Sequence, residues 1–407
     1  MQNQGPVPHA FENGSVTVSR RVWLWLAAAL TVICLAAVIS IVVGRGYASG
    51  DPRPVTVMTR NLYLGGNINR PIRAALDRDG REGMLALGHA NHELREVVTR
   101  TDFAVRSRLL ADEIAAARPD LIGLQEVALW RHGPMQLDQL GRPNATQIGY
   151  DFLAILLADL TSRGVPYEIV RIQQESDVEA PAFTGNPYAG TVGSPQDVRL
   201  TDRDVILVRS GSGLRIEGTG GGQFRQRFEV RLGGTTFHFV RGYTWVDVAV
   251  GSARLRFVNT HLESQSSRLA RAQAEELLNG PAGDRSLSTV IACDCNSDPA
   301  SIAARTDLPI GSGAAYRLIT DGHGFGDLWL QQGRSEAGNT AWLSELVNDE
   351  APDFERRIDL VLARSASPGQ IVASRVEVTG DELSDRDPVS SLWPSDHAGV
   401  VAELRIG

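Results

Sequence analysis

The sequence predicts an α/β domain in which two packed, mostly antiparallel sheets carry helices on their outer faces. Short apolar, β-branched runs outnumber the stretches with helical spacing. The helical stretches are too few for a bundle but enough to cover two sheets. No fixed-period repeat is present, which excludes a solenoid. With 407 residues, 43% hydrophobic and 22% charged, the chain is large enough for a real core and has the composition of a globular protein.

The elements follow in order. Residues 1–21 are polar and read as a disordered cytoplasmic tail. From Val22 to Val43 runs VWLWLAAALTVICLAAVISIVV, uncharged and long enough to cross about 30 Å of hydrocarbon as a single transmembrane helix. Arg20 and Arg21 favour a cytoplasmic N-terminus, so a single-pass anchor with an extracytoplasmic domain is expected. A cleaved signal peptide is the competing reading, but its apolar core is usually only about 7–15 residues long. Residues 44–53 read as a linker, and 54–407 as one long folded domain.

Within that domain, PVTVMTRNL is a short strand. REVVTRTDFAVRSRLLADEIAAARPD has helical spacing, with Val105, Leu109, Ile114 and Ala115 inward, and stops at Pro119. DLIGLQEV reads as a buried strand, followed by a helix near Phe152–Leu160. DVILVR, FEVRLGG, TFHFV, YTWVDVAV and LRFVNTH are strands, SRLARAQAEELLNG is a helix ending at Gly280, and STVIACDCN is another strand. RIDLVLAR, IVASRVEV and AGVVAELRI close the chain. Residues 177–202, rich in Gly, Pro and Asp, read as a long surface loop.

Composition narrows the chemistry. The 40 basic side chains are all arginine, which excludes Schiff-base, P-loop and kinase-type lysines. A net charge of −8 argues against the broad basic footprint of a tight nucleic-acid binder. It leaves room for brief contact by an enzyme whose metal supplies the positive charge. The three cysteines cannot build a disulfide framework. Cys293 and Cys295 are spaced too closely for an ordinary bridge within a strand, so they are expected to be small buried residues.

Polar residues gather where strands end. Successive apolar runs deliver Asn61, Glu126, His261, then Asp294 with Asn296, while Asp359 begins a run and Asp396-His397 precede another. Brought to one end of the sheets, they make a pocket of carboxylates, amides and two imidazoles. Oxygen ligands of this kind suit Mg²⁺, or Mn²⁺, and no Cys or His pair shows zinc spacing. The remaining groups suit orienting a water and donating to a phosphoryl oxygen. His238 reads as a strand histidine, and Asp321, His323 and Asp327 as parts of a Gly-rich turn.

The ordered series N…QE…NTH…D-x-N…RID…SDH over residues 54–406 resembles the endonuclease/exonuclease/phosphatase superfamily. The resemblance implies a four-layered α/β sandwich and metal-assisted hydrolysis of phosphate esters. By residue, it implies Glu126 as principal metal ligand, with Asn61 beside it and Asp396 as a further metal carboxylate. It implies Asp294 as the group that activates water, Asn296 as phosphate positioner, and His397 as phosphate contact or base oriented by Asp359. His261 falls on the leaving-group side, and Asp202 with Arg203 match a charged pair at the site loosely. Cys293 stands where the family commonly has glycine. A monomer acting on nucleic acid or a lipid head group is expected, with a catalytically silent binding domain of the same fold as the alternative.

Overall fold

The computed structural model describes residues 54–407, apart from 77, 79, 233–234, 302–311 and 368–370. The tail, the apolar segment 22–43 and the linker lie outside the described residues. Among the described residues no helix is long and apolar enough to cross a membrane.

The chain opens with β1 (Val55–Asn61), α1 (Asn69–Ala75), α2 (Gly80–Arg100) and α3 (Phe103–Ala117). Next come β2 (Leu121–Gln125), β3 (Leu129–Gly133), β4 (Gln147–Asp151) and α4 (Phe152–Ser162). A long hairpin, β5 (Tyr167–Thr184) and β6 (Gly193–Arg209), leads to β7 (Arg215–Gln223) and a small hairpin, β8 (Phe228–Leu232) and β9 (Thr235–Phe239). β10 (Gly242–Val250), β11 (Ala253–His261), α5 (Ser267–Asn279), β12 (Ser288–Asp294) and α6 (Ala314–Arg317) follow. β13 (Gly326–Asp327), β14 (Asp359–Arg364), β15 (Ile371–Thr379) and β16 (Gly399–Ile406) complete it.

Two sequence expectations need correction here. The stretch read as one helix is two, because Asp102 takes a φ of +25° and caps α3 by accepting from Ala104 N at 3.1 Å. The buried face of α3 is Phe103, Arg106, Leu110 and Ile114, and an arginine inside that stripe disguised it. Most of 177–202 is the β5–β6 hairpin rather than loop. Its polar residues pair across the strands, as Asp177 does with Arg199 and Thr201, and β5 pairs only with β6, so Pro181 sits on an edge where no ladder donor is lost.

The first sheet has the order β15-β16-β1-β2-β6-β3-β4, with β5 also on β6; the second has the order β13-β14-β12-β11-β10-β7. Each is centred on one parallel pair, β1 with β2 and β11 with β12, flanked by antiparallel neighbours. Alternation along the strands sends side chains into separate cores. Met58, Ile122 and Leu124 pack under α3 and α4; Val57, Leu121, Phe257, Val290 and Ala292 fill the space between the sheets; Ile291 and Leu360 meet α5. The layers are therefore helices, sheet, sheet, helices, as expected.

Register decides where the polar residues arrive. Asn61 pairs with Gln125, His261 with Asp294, and Asp294 with Asp359, so the parallel pairs end together. Behind that edge, Gln125 Nε2 donates to Asn259 Oδ1 at 2.6 Å, and Asn259 Nδ2 donates to the Leu124 and Val205 carbonyls. This amide pair joins the sheets. It also explains Gly123, where a Cβ would sit 2.8 Å from Asn259 Oδ1.

Cys293 and Cys295 form a disulfide, contrary to expectation, with Cα atoms 5.1 Å apart. The strand ends at Asp294 and the chain turns at Asn296, with φ +45°, so the cysteines lie closer than the roughly 6.6 Å of two extended residues. Both sit in the core beside α5, and Asp294 continues the opposite face with Val290 and Ala292. Asn259→Ala would remove the shortest of the three hydrogen bonds of the Gln125 amide and take a donor from two buried carbonyls. It should lower the unfolding free energy by at least about 2 kcal/mol in urea titration; a change near zero would show that the amide pair does not join the sheets.

Candidate active site

The convergent strand ends open into a cleft of about 330 Å³ lined by Glu126, Asp202, Arg241, His261, Asp294 and His397, among others. Asp294 is at its floor. Its Oδ2 accepts from Asn61 Nδ2 at 2.9 Å and lies 3.2 Å from His261 Nε2 and 3.9 Å from His397 Nε2. Its Oδ1 accepts from the Asn296 backbone at 3.1 Å. His397 Nδ1 is 2.8 Å from Asp359 Oδ2, and the other Asp359 oxygen is buried with no hydrogen-bond partner. Ser395 braces this loop: its hydroxyl donates to the Asn61 carbonyl and accepts from His397 N.

The matching of this chain to known proteins agrees with that geometry. Residues 97–397 match the sequence pattern of the Endonuclease/Exonuclease/phosphatase family. The chain belongs to this family. An endonuclease/exonuclease/phosphatase family protein from Bacteroides thetaiotaomicron shares the fold at 16% identity, covering 88% of this chain and 99% of its own, with a TM-score of 0.50. The mannosyl-6-phosphatase Bt3783 of the same organism aligns at 17% identity over 86% and 99%, with a TM-score of 0.47. Truncated Caenorhabditis elegans TDP2 aligns at 16% identity over 87% and 100%, with a TM-score of 0.45. No curated protein matches the sequence significantly.

The two histidines occupy opposite electrostatic environments. Arg241 Nη1 donates to His261 Nδ1 at 2.8 Å. Arginine cannot accept, so the ring proton of His261 sits on Nε2, facing Asp294. Burial, then the charges of Arg241 and His397, hold His261 well below the usual histidine range and neutral. Burial alone would do the same to His397, but Asp359, Asp294 and Asp396 outweigh it and hold that imidazole cationic, well above the usual range. Burial and the Asp359 charge push Asp294 up to about 7. Burial, Asp396 and Asp202 push Glu126 up to about 8.

The family's chemistry is typically divalent-metal dependent, and the residues present fit such an ion. Glu126 and Asp396 both line the cleft and repel each other's charge, a conflict that a cation between carboxylates relieves. Glu126 Oε2 is fixed by Leu64 N at 2.7 Å. Mg²⁺ is commonly held by one or two carboxylates plus waters, so this pair suffices. Donor atoms of Asp294, Asp359 and His397 also lie within 4.8 Å of one another. That trio already contains the His397–Asp359 hydrogen bond, which accounts for its closeness.

Several expected roles shift. Asn61 is fully buried, with its amide on Asp294 and its Oδ1 accepting from Tyr63 N, so it orients the carboxylate rather than facing a metal. Asn296 lines the cleft, but its Nδ2 donates to the Leu262 carbonyl. Asp202 pairs with Arg241 at 3.0 Å, whereas Arg203 pairs with Asp151 instead. Trp393 is core, and Asp327 is engaged by Arg357 and Tyr316. His238 lies exposed on β9 beside Glu229.

Three arginines escaped the sequence reading. Arg106 donates to the carbonyls of Leu62, Tyr63, Thr101 and Pro394, clamping both loops of the site. Arg60 donates to the His397 carbonyl and, at 2.9 Å, to Glu113. Arg241 sets the His261 tautomer. The signal for Arg106 was its place in the apolar stripe of α3.

The sign of the pH dependence follows. Glu126 and Asp294 keep protons in the folded protein that the unfolded chain releases above about pH 4.5, so metal-free stability falls as pH rises through about 7 and 8. His397 acts in the same direction, and His261 is neutral in both states above about pH 6.5. The melting temperature of the metal-free protein should drop between about pH 6.5 and 8.5. Mg²⁺ should raise it more at the higher pH; an equal effect at both would contradict the account.

Proposed function

We propose that this protein is a divalent-metal-dependent hydrolase of phosphate esters. The observation that carries the reading is Asp294, a buried carboxylate pushed up to about 7 and set between a neutral and a cationic histidine. A base whose pKa lies near working pH is suited to taking a proton in the transition state. Asp294 takes a proton from water as the water oxygen bonds to phosphorus. The ester P–O bond breaks, and the released alkoxide takes a proton from solvent. His397, kept cationic and oriented by Asp359, donates from Nε2 to a non-bridging phosphate oxygen. Asn61 holds Asp294 in place, and Arg241 keeps His261 neutral so that its Nε2–H faces the carboxylate. Mg²⁺ or Mn²⁺ at Glu126 and Asp396 would neutralise charge gathering on the phosphate.

We also propose that segment 22–43 tethers this activity to a membrane, with residues 54–407 outside the cytoplasm. Resistance to alkaline extraction and protection from added protease of the 1–21 tail alone would support this. Release into the soluble fraction would contradict it.

The catalytic proposal is tested with bis(p-nitrophenyl) phosphate. Asp294→Asn and His397→Ala should each lower kcat by about 10²–10⁴-fold while melting cooperatively, and chelation should abolish turnover. Asp294→Asn within tenfold of wild type would remove Asp294 as the base.

A further inference from the structure

Beside the catalytic cleft lies a second pocket that none of the chemistry above uses. This pocket, about 60 Å³, lies between α1, α2, the β5–β6 hairpin and the β8–β9 hairpin. Ile68, Val178, Leu200 and Phe239 line both spaces, so the two lie side by side with these side chains between them. Phe228 and Phe239, paired across the small hairpin with ring centres 6.1 Å apart, stand at the junction. The hairpin alternates as a cover should: Phe237 is buried inward, while His238 faces out beside Glu229.

The polar groups in its wall are already engaged. The Asn91 amide donates to the Ala180 and Pro181 carbonyls. Glu179 accepts from the backbone N–H groups of Asn144 and Ala145. Trp130 Nε1 donates to the Leu64 carbonyl. A ligand entering here meets mostly hydrocarbon and no unspent donor; one oxygen each of Asn91 and Glu179 carries no hydrogen bond. A sugar or base would bury its ring nitrogens and hydroxyl oxygens without donors, whereas an alkyl chain has none to lose. The volume matches about two waters, so the chain is short or only its first carbons are held.

We infer that this pocket binds the alkyl arm of a phosphate diester whose phosphate sits at Asp294 and His397. The substrate class is thus an alkyl phosphodiester rather than a nucleotide. This rests on the phosphoesterase reading and narrows its substrate.

The experiment uses the full chain in nanodiscs with Mg²⁺ and a series of p-nitrophenyl alkyl phosphates from methyl to hexyl. Thymidine 5′-p-nitrophenyl phosphate is run beside them. Hydrolysis releases p-nitrophenol and leaves the alkyl phosphate. The expected result is a kcat/KM that climbs by up to about fourfold per methylene over the first carbons and then levels off. Ala180→Leu, which fills the pocket, should flatten the climb. Phe239→Ala, which opens its mouth, should flatten it too and serves if the first variant does not fold. Partition of longer esters into the disc cancels between wild type and variant. A flat series with an active methyl ester, or a slope unchanged in both variants, overturns the pocket and leaves the phosphoesterase standing. A thymidine ester at least tenfold better than the hexyl ester overturns it in favour of nucleic acid. No turnover of any ester overturns both.

Discussion

The hydrogen bond from Asn61 to Asp294 crosses from one sheet to the other, and the rest of the site hangs on it. Asn61 ends β1 in the first sheet and Asp294 ends β12 in the second. A hydrogen bond to a buried charge is worth about 1.5–3 kcal/mol, enough to fix one carboxylate but not to align two sheets alone. Alignment comes from behind it, where Gln125 and Asn259 link the same pair of sheets. Because both parallel pairs stop at one level, a shift of one residue in β12 would turn Asp294 into the hydrophobic core, and one in β1 would turn Asn61 away from it.

The pocket gathers more negative charge than an interior tolerates unaided. Arg60, Arg106 and Arg241 answer it from three sides, and each also fixes geometry through carbonyls or a ring nitrogen. Beyond Arg241 the supply of cations runs short. Glu175 and Asp204 are buried with no hydrogen bond to either oxygen; burial, then Asp204 and Asp202 for Glu175 and Asp202 for Asp204, pushes both well above the usual carboxylate range. Removing Arg60 or Arg241 would leave a buried carboxylate unpaired, which is costlier than never having placed the pair there, and removing Arg106 would take a donor from four carbonyls.

Much of this was legible in the sequence because a strand of apolar residues bounded at either end by Asn, Glu, His or Asp announces a polar edge. That rule found Glu126, His261, Asp294, Asp359 and His397, and placed them together. It could not separate a group facing the cleft from one bracing it, which is why Asn61 and Asn296 were given outward roles. Buried arginines were invisible because arginine is ordinarily a surface residue, and nothing in a one-dimensional pattern tells Arg106 from Arg108 except the stripe it interrupts. Residues 177–202 misled because paired polar side chains on a two-strand ribbon have a loop's composition. The disulfide was hidden by the assumption that Cys295 is still in the strand.

The central claim is that the two histidines flanking one carboxylate are held in opposite charge states. Nitrogen-15 NMR of the imidazoles in metal-free protein, followed from about pH 5 to 9, tests it most directly. The account predicts that His397 keeps both ring nitrogens protonated above the usual histidine range. His261 should stay neutral as the Nε2–H tautomer well below it. Two rings titrating together near pH 6.5 would contradict it.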